Sequence, residues 1–200
     1  MTVASVAPNA KVSTGDILMG HNDWNIDTAH TGIHFSVRHM VVSKVRGRFE
    51  KYSGTFRLDD GDITRSFVDV TIDASSIDTG VADRDTHLRS PDFFDVEKFP
   101  ELRFRSKRIE RVDDTRHRVI GDLTIRDVTR EVSLDVEYGG HGKDPWGNER
   151  VGFVAKTSID RKDFGLTWNQ MLETGGILVG DRVDIDLDVQ GVRGAAHSAA

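Results

Sequence analysis

Apolar and polar residues alternate one by one along most of the chain. Ile33, Phe35 and Val37 interleave with His34, Ser36 and Arg38, and Val68, Val70 and Ile72 with Asp69, Thr71 and Asp73. The rhythm returns at 119–125, 132–136, 151–159 and 183–189. Successive strand side chains point to opposite faces, so a period of two describes a strand with one dry face and one wet face. Strands are predicted at 24–26, 33–42, 45–52, 54–59, 67–73, 102–110, 117–125, 128–138, 149–160 and 181–190. Many half-dry strands in series imply an all-β fold, one antiparallel sheet wrapped round its own apolar side. A closed β-barrel of about eight strands is just wide enough to hold side chains or one small ligand.

The rhythm fails in two places. Across 78–99, Val81, His87, Leu88, Phe93, Phe94 and Phe99 are irregularly spaced. This predicts a short helical insertion around 81–88, stopped by Pro91, and an irregular turn that ends at Pro100. Across 161–174 the spacing allows one helical turn. Ser53-Gly54 reads as punctuation between strands, and 113–114 and 139–148 as hairpin turns. Residues 1–20 have no period and read as a flexible N-terminal arm, and 191–200 as a flexible tail. No repeat or linker divides the stretch between, so 21–190 is predicted to form one barrel domain.

Charge and composition then narrow the function. The chain has 33 acidic and 27 basic residues, a net charge of -6, and no cysteine. A net negative chain has no general attraction for nucleic acid or anionic membranes. The lack of cysteine removes disulfides, thiolate metal sites and cysteine nucleophiles together, and it is compatible with a reducing compartment. No apolar run is long enough to span a bilayer, so stable membrane insertion is not expected. The first twenty residues lack the basic and apolar regions of a signal peptide, and a cytoplasmic protein is the simplest reading. Oligomeric state is left open, homodimers included.

Catalytic patterns are sparse. His30 and His34 are four apart, which on a strand separates them by roughly 13 Å, so no metal site is expected. Asp184, Asp186 and Asp188 alternate with apolar residues and read as a wet strand face. There is no nucleophile elbow and no phosphate-cradling glycine loop. No catalytic residue and no cofactor are assigned, and the chain reads as a non-enzyme. The parity instead supplies a broad apolar lining for an internal ligand: Ile33, Phe35, Val37, Phe56, Leu58, Val68, Val70, Ile72, Phe104, Leu123 and Phe153. His39 shares the parity of Phe35, either as a lone polar contact or as a satisfied core histidine. Leu88, Phe93, Phe94, Phe164 and Trp168, in the irregular segments, read either as plugs that cap the barrel or as the mouth of its pocket, with Arg or His at the rim.

Five stretches resemble the YceI-like family of polyisoprenoid-binding proteins. They are DTAHTGIHFSVRHMVVSKVRGRFEKYSGTF, HLRSPDFFDVEKFPELRFRS, GDLTIRDVTREVSL, SIDRKDFGLTWN and VGDRVDIDLDV, in that order along residues 24–190. The resemblance implies a lipocalin-like antiparallel barrel that binds a long-chain isoprenoid lipid, a prenyl quinone or a polyprenyl phosphate, for carriage, storage or sequestration. Two other readings stay open. One is an enzyme that uses the barrel as a chamber, with His39 or Asp163 as acid or base. The other is a stress or interaction protein whose barrel is filled by its own side chains.

Overall fold

The structure is a computed structural model that describes residues 23–40, 43–171 and 177–193. The predicted alternation folds into eleven strand segments and one α-helix. The segments are β1 (Asp23–Ile26), β2 (Gly32–His39), β3 (Ser43–Phe49), β4 (Tyr52–Arg57), β5 (Phe67–Asp73), β6 (Ile77–Asp78), β7 (Glu101–Arg111), β8 (Arg116–Ile125), β9 (Val128–Lys143), β10 (Glu149–Asp160) and β11 (Val179–Arg193), and the helix is α1 (Ala82–Arg89). All pairings are antiparallel. The ring runs β1-β4-β5-β7-β8-β9-β10-β11 and closes where β11 returns to β1. This is a closed eight-stranded antiparallel barrel.

Eleven segments make eight ring positions because some strands are bent. β1 and β2 share the edge of β11, with Asn25 opposite Val192 and Ile33 opposite Leu187. β3 and β4 follow in the same way, paired with β2 and β1. The bend between β3 and β4 falls at Glu50-Lys51, not at Ser53-Gly54 as the sequence suggests. A 3-10 turn at Ala74–Ser76 bends the neighbouring chain there, and the two bends are laced together. Glu50 N donates to the Ser76 carbonyl at 3.2 Å, Lys51 N to Ser76 Oγ at 3.0 Å, and Asp73 N to the Lys51 carbonyl at 2.9 Å. Gly54 is instead an interior strand residue. A Cβ there would lie 2.6 Å from the backbone oxygen of Asp69, so only glycine lets β4 and β5 approach this closely.

Two predicted boundaries move for similar reasons. β9 continues through Gly139 to Lys143, because a positive φ at Gly140 absorbs a bulge opposite Gly152 and Phe153 and the ladder then resumes. The turn shrinks to Asp144–Asn148. Gly191–Arg193, read from sequence as tail, are the end of β11 and pair with both β1 and β10. The Phe56 ring sits where a Cβ on Gly191 would be, 2.2 Å away, so this glycine belongs to the barrel wall. The expected arm at 1–20 and the rest of the expected tail, 194–200, lie outside the described residues.

α1 forms one residue later than predicted. Asp83 and Asp85 in its first turn and His87 and Arg89 in its last suit the helix dipole. It is tied to the bend at Ala74–Ser76 by Arg89, which donates to the carbonyls of Ser75 and Ile77, both at 2.7 Å. Buried Asp85 accepts from Thr79 N at 2.9 Å. The helix therefore sits across one end of the barrel. The core at this helical end contains Phe49, Ala74, Ile77, Leu102, Leu123, Ile125, Phe164 and Leu166. Trp24, Phe56 and Val151 pack at the opposite end, with Val119, Leu134 and Ala155 between.

Candidate binding cavity

The barrel does not fill itself. An internal cavity of about 610 Å³ runs between the two ends, within the range of small-molecule sites, about 300–1,000 Å³. Inward parity builds the wall. β2 contributes Ile33, Phe35 and Val37, β4 Phe56 and the residue after it Leu58, β5 Val68, Val70 and Ile72, β7 Phe104, β8 Leu123 and β10 Phe153. Leu88 from α1 and Phe93 and Phe94 from the following turn face the cavity from the helical end. β9 and β11 add Val132, Leu134, Val136, Leu187 and Val189, which the same alternation could have supplied.

Three predicted lining residues do not line it. His39 is the last residue of β2, opposite Val179, where the β11 register shifts between Val179 and Val183, and it is not part of the cavity wall although Val179 is. Phe164, 2% exposed, is committed to the core behind the wall. Trp168 packs against the His87 and Phe93 rings, with centroids 4.6 Å and 5.3 Å away, and backs the cap. Asp163, the other suggested acid or base, is also off the wall; it borders a polar depression outside the barrel.

The helical end is closed. Phe93 and Leu166 on the cavity wall are 6% and 5% exposed. Arg161, 3% exposed, reaches the same end, but its guanidinium is spent on the backbone. Its Nε donates to the Gly180 carbonyl at 2.9 Å, Nη1 to the carbonyls of Leu166 and Trp168, and Nη2 to that of Val179 at 3.3 Å, beside Asp181. Burial pulls its pKa below the ordinary arginine value, and the Asp181 charge opposes that.

The opposite end is open. Its wall includes the exposed Arg57, Asp60, Gly61, Asp62, Thr64, Arg111 and Asp114, with Asp59, Ser66 and His117 beside them. These come from the loop between β4 and β5 and from the β7–β8 hairpin, which the 3-10 turn Ile63–Arg65 brings together by packing on β7. Sequence parity could not find those of the 59–66 loop, because loops carry no period, although His117 shares the parity of Val119 and Leu123 on β8. At the β1–β2 bend, Asp27 accepts from Arg150, Ala29 N and His30, and the Arg150 hydrogen bond above all holds its pKa down to about 2 against the opposing effect of burial. Beside it, Tyr52 faces the cavity and donates its hydroxyl to the Thr31 carbonyl. Burial raises the pKa of that phenol.

The site is thus an apolar tube, sealed at one end, with its charge gathered at the other. Among the described residues no cluster of His, Cys, Asp or Glu has the arrangement to hold a metal ion, and no helix is long and apolar enough to cross a membrane.

Known proteins share this sequence and shape. The YceI-like domain family model matches residues 24–191. A UPF0312 protein of Vibrio parahaemolyticus is 38% identical over 175 residues, covering 86% of this chain and 87% of that one. The crystal structure of a Campylobacter jejuni YCEI protein superposes with a TM-score of 0.68 at 31% identity, covering 79% of this chain and 90% of that one. A domain from Saccharophagus degradans described as polyisoprenoid-binding superposes with a TM-score of 0.58 at 14% identity, covering 86% and 98%. At that identity the likeness is one of fold.

Proposed function

Because this chain belongs to the YceI-like family, we propose that its barrel binds one isoprenoid lipid, tail inward, and carries or stores it without transforming it. The single observation that supports this best is the lining. The cavity wall is continuous aliphatic and aromatic surface between a sealed end and an open one. A chain-like hydrocarbon matches that shape, and the polyisoprenoid-binding description of a domain with the same fold points the same way.

The energetics suit such a ligand. At roughly 30 Å³ per non-hydrogen atom, the share of one water in the liquid, a cavity of about 610 Å³ holds about twenty atoms, or about four prenyl units. Each buried methylene is worth about 0.8 kcal/mol, so one five-carbon unit contributes roughly 3–4 kcal/mol. Association costs at least several kcal/mol. With that cost at its low end, about 4 kcal/mol, four units leave roughly 8–12 kcal/mol, which is about micromolar affinity or better. A longer polyprenyl chain would leave its remainder outside the barrel.

A binding role fits better than the chamber enzyme, since His39 and Asp163 both lie off the wall. The side-chain-filled barrel sits poorly with the open volume. The reading places carriage in a reducing cytoplasm, with which a chain lacking cysteine is compatible. Mass spectrometry of an organic extract of the purified protein tests the proposal. It predicts a prenyl lipid near one per chain, or uptake of one equivalent of added prenyl lipid by delipidated protein. An empty extract together with no uptake would reject it.

A further inference from the structure

The open end of the cavity is acidic, and most backbone donors of its loops are turned onto the loops' own side chains. We infer that the lipid bound here has an uncharged head group, and that phosphate-headed prenyl lipids are discriminated against at the mouth. The inference rests on the isoprenoid reading above and specifies its ligand.

Asp59, Asp60, Asp62 and Asp114 border the cavity at this end, facing two guanidiniums, Arg57 and Arg111. Arg57 is held by Asp23, through Nε at 2.6 Å and Nη2 at 3.1 Å. Asp59 is held by Arg65 at 2.9 Å. Asp60, Asp62 and Asp114 make no ion pair with another described residue. Counting these partners, five carboxylates stand against three guanidiniums, a net of -2. Hydrogen bonds hold the Asp59 and Asp62 carboxyls below the usual range, Asp59 chiefly from Asp62 N and Asp62 from Thr64, so both are ionised at neutral pH. Outside the described residues, 1–22 and 194–200 carry one lysine and one aspartate, so they add no surplus of positive charge.

A phosphate is recognised by arginine forks or by free backbone N–H groups converging on it. At this mouth the loop turns its N–H groups onto its own side chains. Gly61 N and Asp62 N donate to Asp59 Oδ1 at 3.0 and 2.8 Å, Thr64 N to Asp62 Oδ1 at 3.0 Å, and Asp59 N to Ser66 Oγ at 3.0 Å. The β7–β8 turn does the same, with Thr115 N and Arg116 N on Asp113 Oδ1. At these N–H groups a carboxylate or hydroxyl already sits where an anion would need to, and Arg111 is left as a single guanidinium among the aspartates. Just inside, Phe67, Tyr138 and Phe153 offer apolar and aromatic surface to an uncharged ring or alcohol.

Two probes with the same four-unit chain separate the possibilities: geranylgeraniol and geranylgeranyl diphosphate, titrated into delipidated protein. We expect the alcohol to bind at least about tenfold more tightly. Raising salt from about 50 to about 500 mM, which shortens the Debye length to a few ångströms, should strengthen diphosphate binding and narrow that ratio. The double variant Asp60→Lys with Asp114→Lys should shrink the ratio about tenfold or more at low salt. Diphosphate binding as tight as the alcohol's in the wild type, or weakening with salt, overturns the inference and leaves the isoprenoid reading standing. Failure of both probes to bind overturns the two together.

Discussion

Replacing Phe104 by aspartate tests whether the interior is a binding surface or only a fold. Phe104 sits midway along the wall on β7, between Val70 of β5 and Leu123 of β8, and its ring faces the cavity. Two costs must be separated. The first is to folding. Truncating a fully buried Phe costs about 3–5 kcal/mol. Phe104 is only half-buried, so we expect about 2–3 kcal/mol, with a melting temperature lower by roughly 4–12 °C at about 2–4 °C per kcal/mol. The new carboxylate adds little to this while the cavity is open and wet, because it stays hydrated. The second cost is to binding. A carboxylate that keeps its water excludes about one prenyl unit from the wall, a loss of roughly 3–4 kcal/mol, or about 10²–10³-fold in affinity. Asp186→Asn is the control, since Asp186 is exposed on the outer face and its nearest partner is Lys156 at 3.9 Å. The assay is bound lipid per folded chain, with folding verified by a cooperative melt. Full lipid loading in a folded Phe104→Asp protein would refute the assignment of this wall as the binding surface.

Two further predictions concern what holds the barrel ends. Asp27 has a folded-state pKa of about 2 against an ordinary value of 3.8, so its stabilisation is fully present above about pH 4 and is lost as pH falls toward about 2, an effect of about 2 kcal/mol. Denaturant midpoints measured down through that window should fall more steeply in the wild type than in Asp27→Asn, and equal slopes would contradict the assignment. Arg161→Leu leaves the carbonyls of Gly180, Leu166 and Trp168 without their arginine donor, while Asn169 Nδ2 still donates to Val179 at 2.7 Å. With about 1–3 kcal/mol for each buried carbonyl left unsatisfied, we expect a loss of about 3–5 kcal/mol in chemical denaturation, and a loss below about 1 kcal/mol would show that this arginine does not seal the end.

The wall was legible because a strand writes its two faces into the sequence. Phe35, Val70 and Phe104 are inward for the same reason that Asp69, Arg103 and Asp186 are outward, and no tertiary information is needed to say so. Family resemblance and parity therefore agree on the barrel from separate signals. What parity does not carry is where a strand bends. Glu50-Lys51 contains no glycine or proline, and its bend is set by hydrogen bonds to Ser76. Gly54 and Gly191 look like punctuation, yet both sit inside the ladder because a neighbouring backbone or ring occupies the place of a Cβ. A glycine needed for close approach and a glycine needed for a turn read identically in one sequence.

The two ends of the cavity show the same limit more sharply, and they decide the orientation of the ligand. From sequence, Arg161 beside aromatics reads either as part of a pocket mouth or as part of a plug, and the aspartates at 59, 60 and 62 carry no reading of their own. The folded chain assigns both. Arg161 is covered and hydrogen-bonded to carbonyls, and Trp168 closes over His87 and Phe93 behind it, so this arginine has no donor left for a head group. A polar head placed there would lose its water and gain no partner, at a cost of several kcal/mol. At the aspartate loop a polar head keeps its hydration while the tail enters an apolar tube. For the proposed lipid, solvation alone therefore favours the tail toward α1 and the head between the β4–β5 loop and the β7–β8 hairpin, where the charge of that mouth would select among heads.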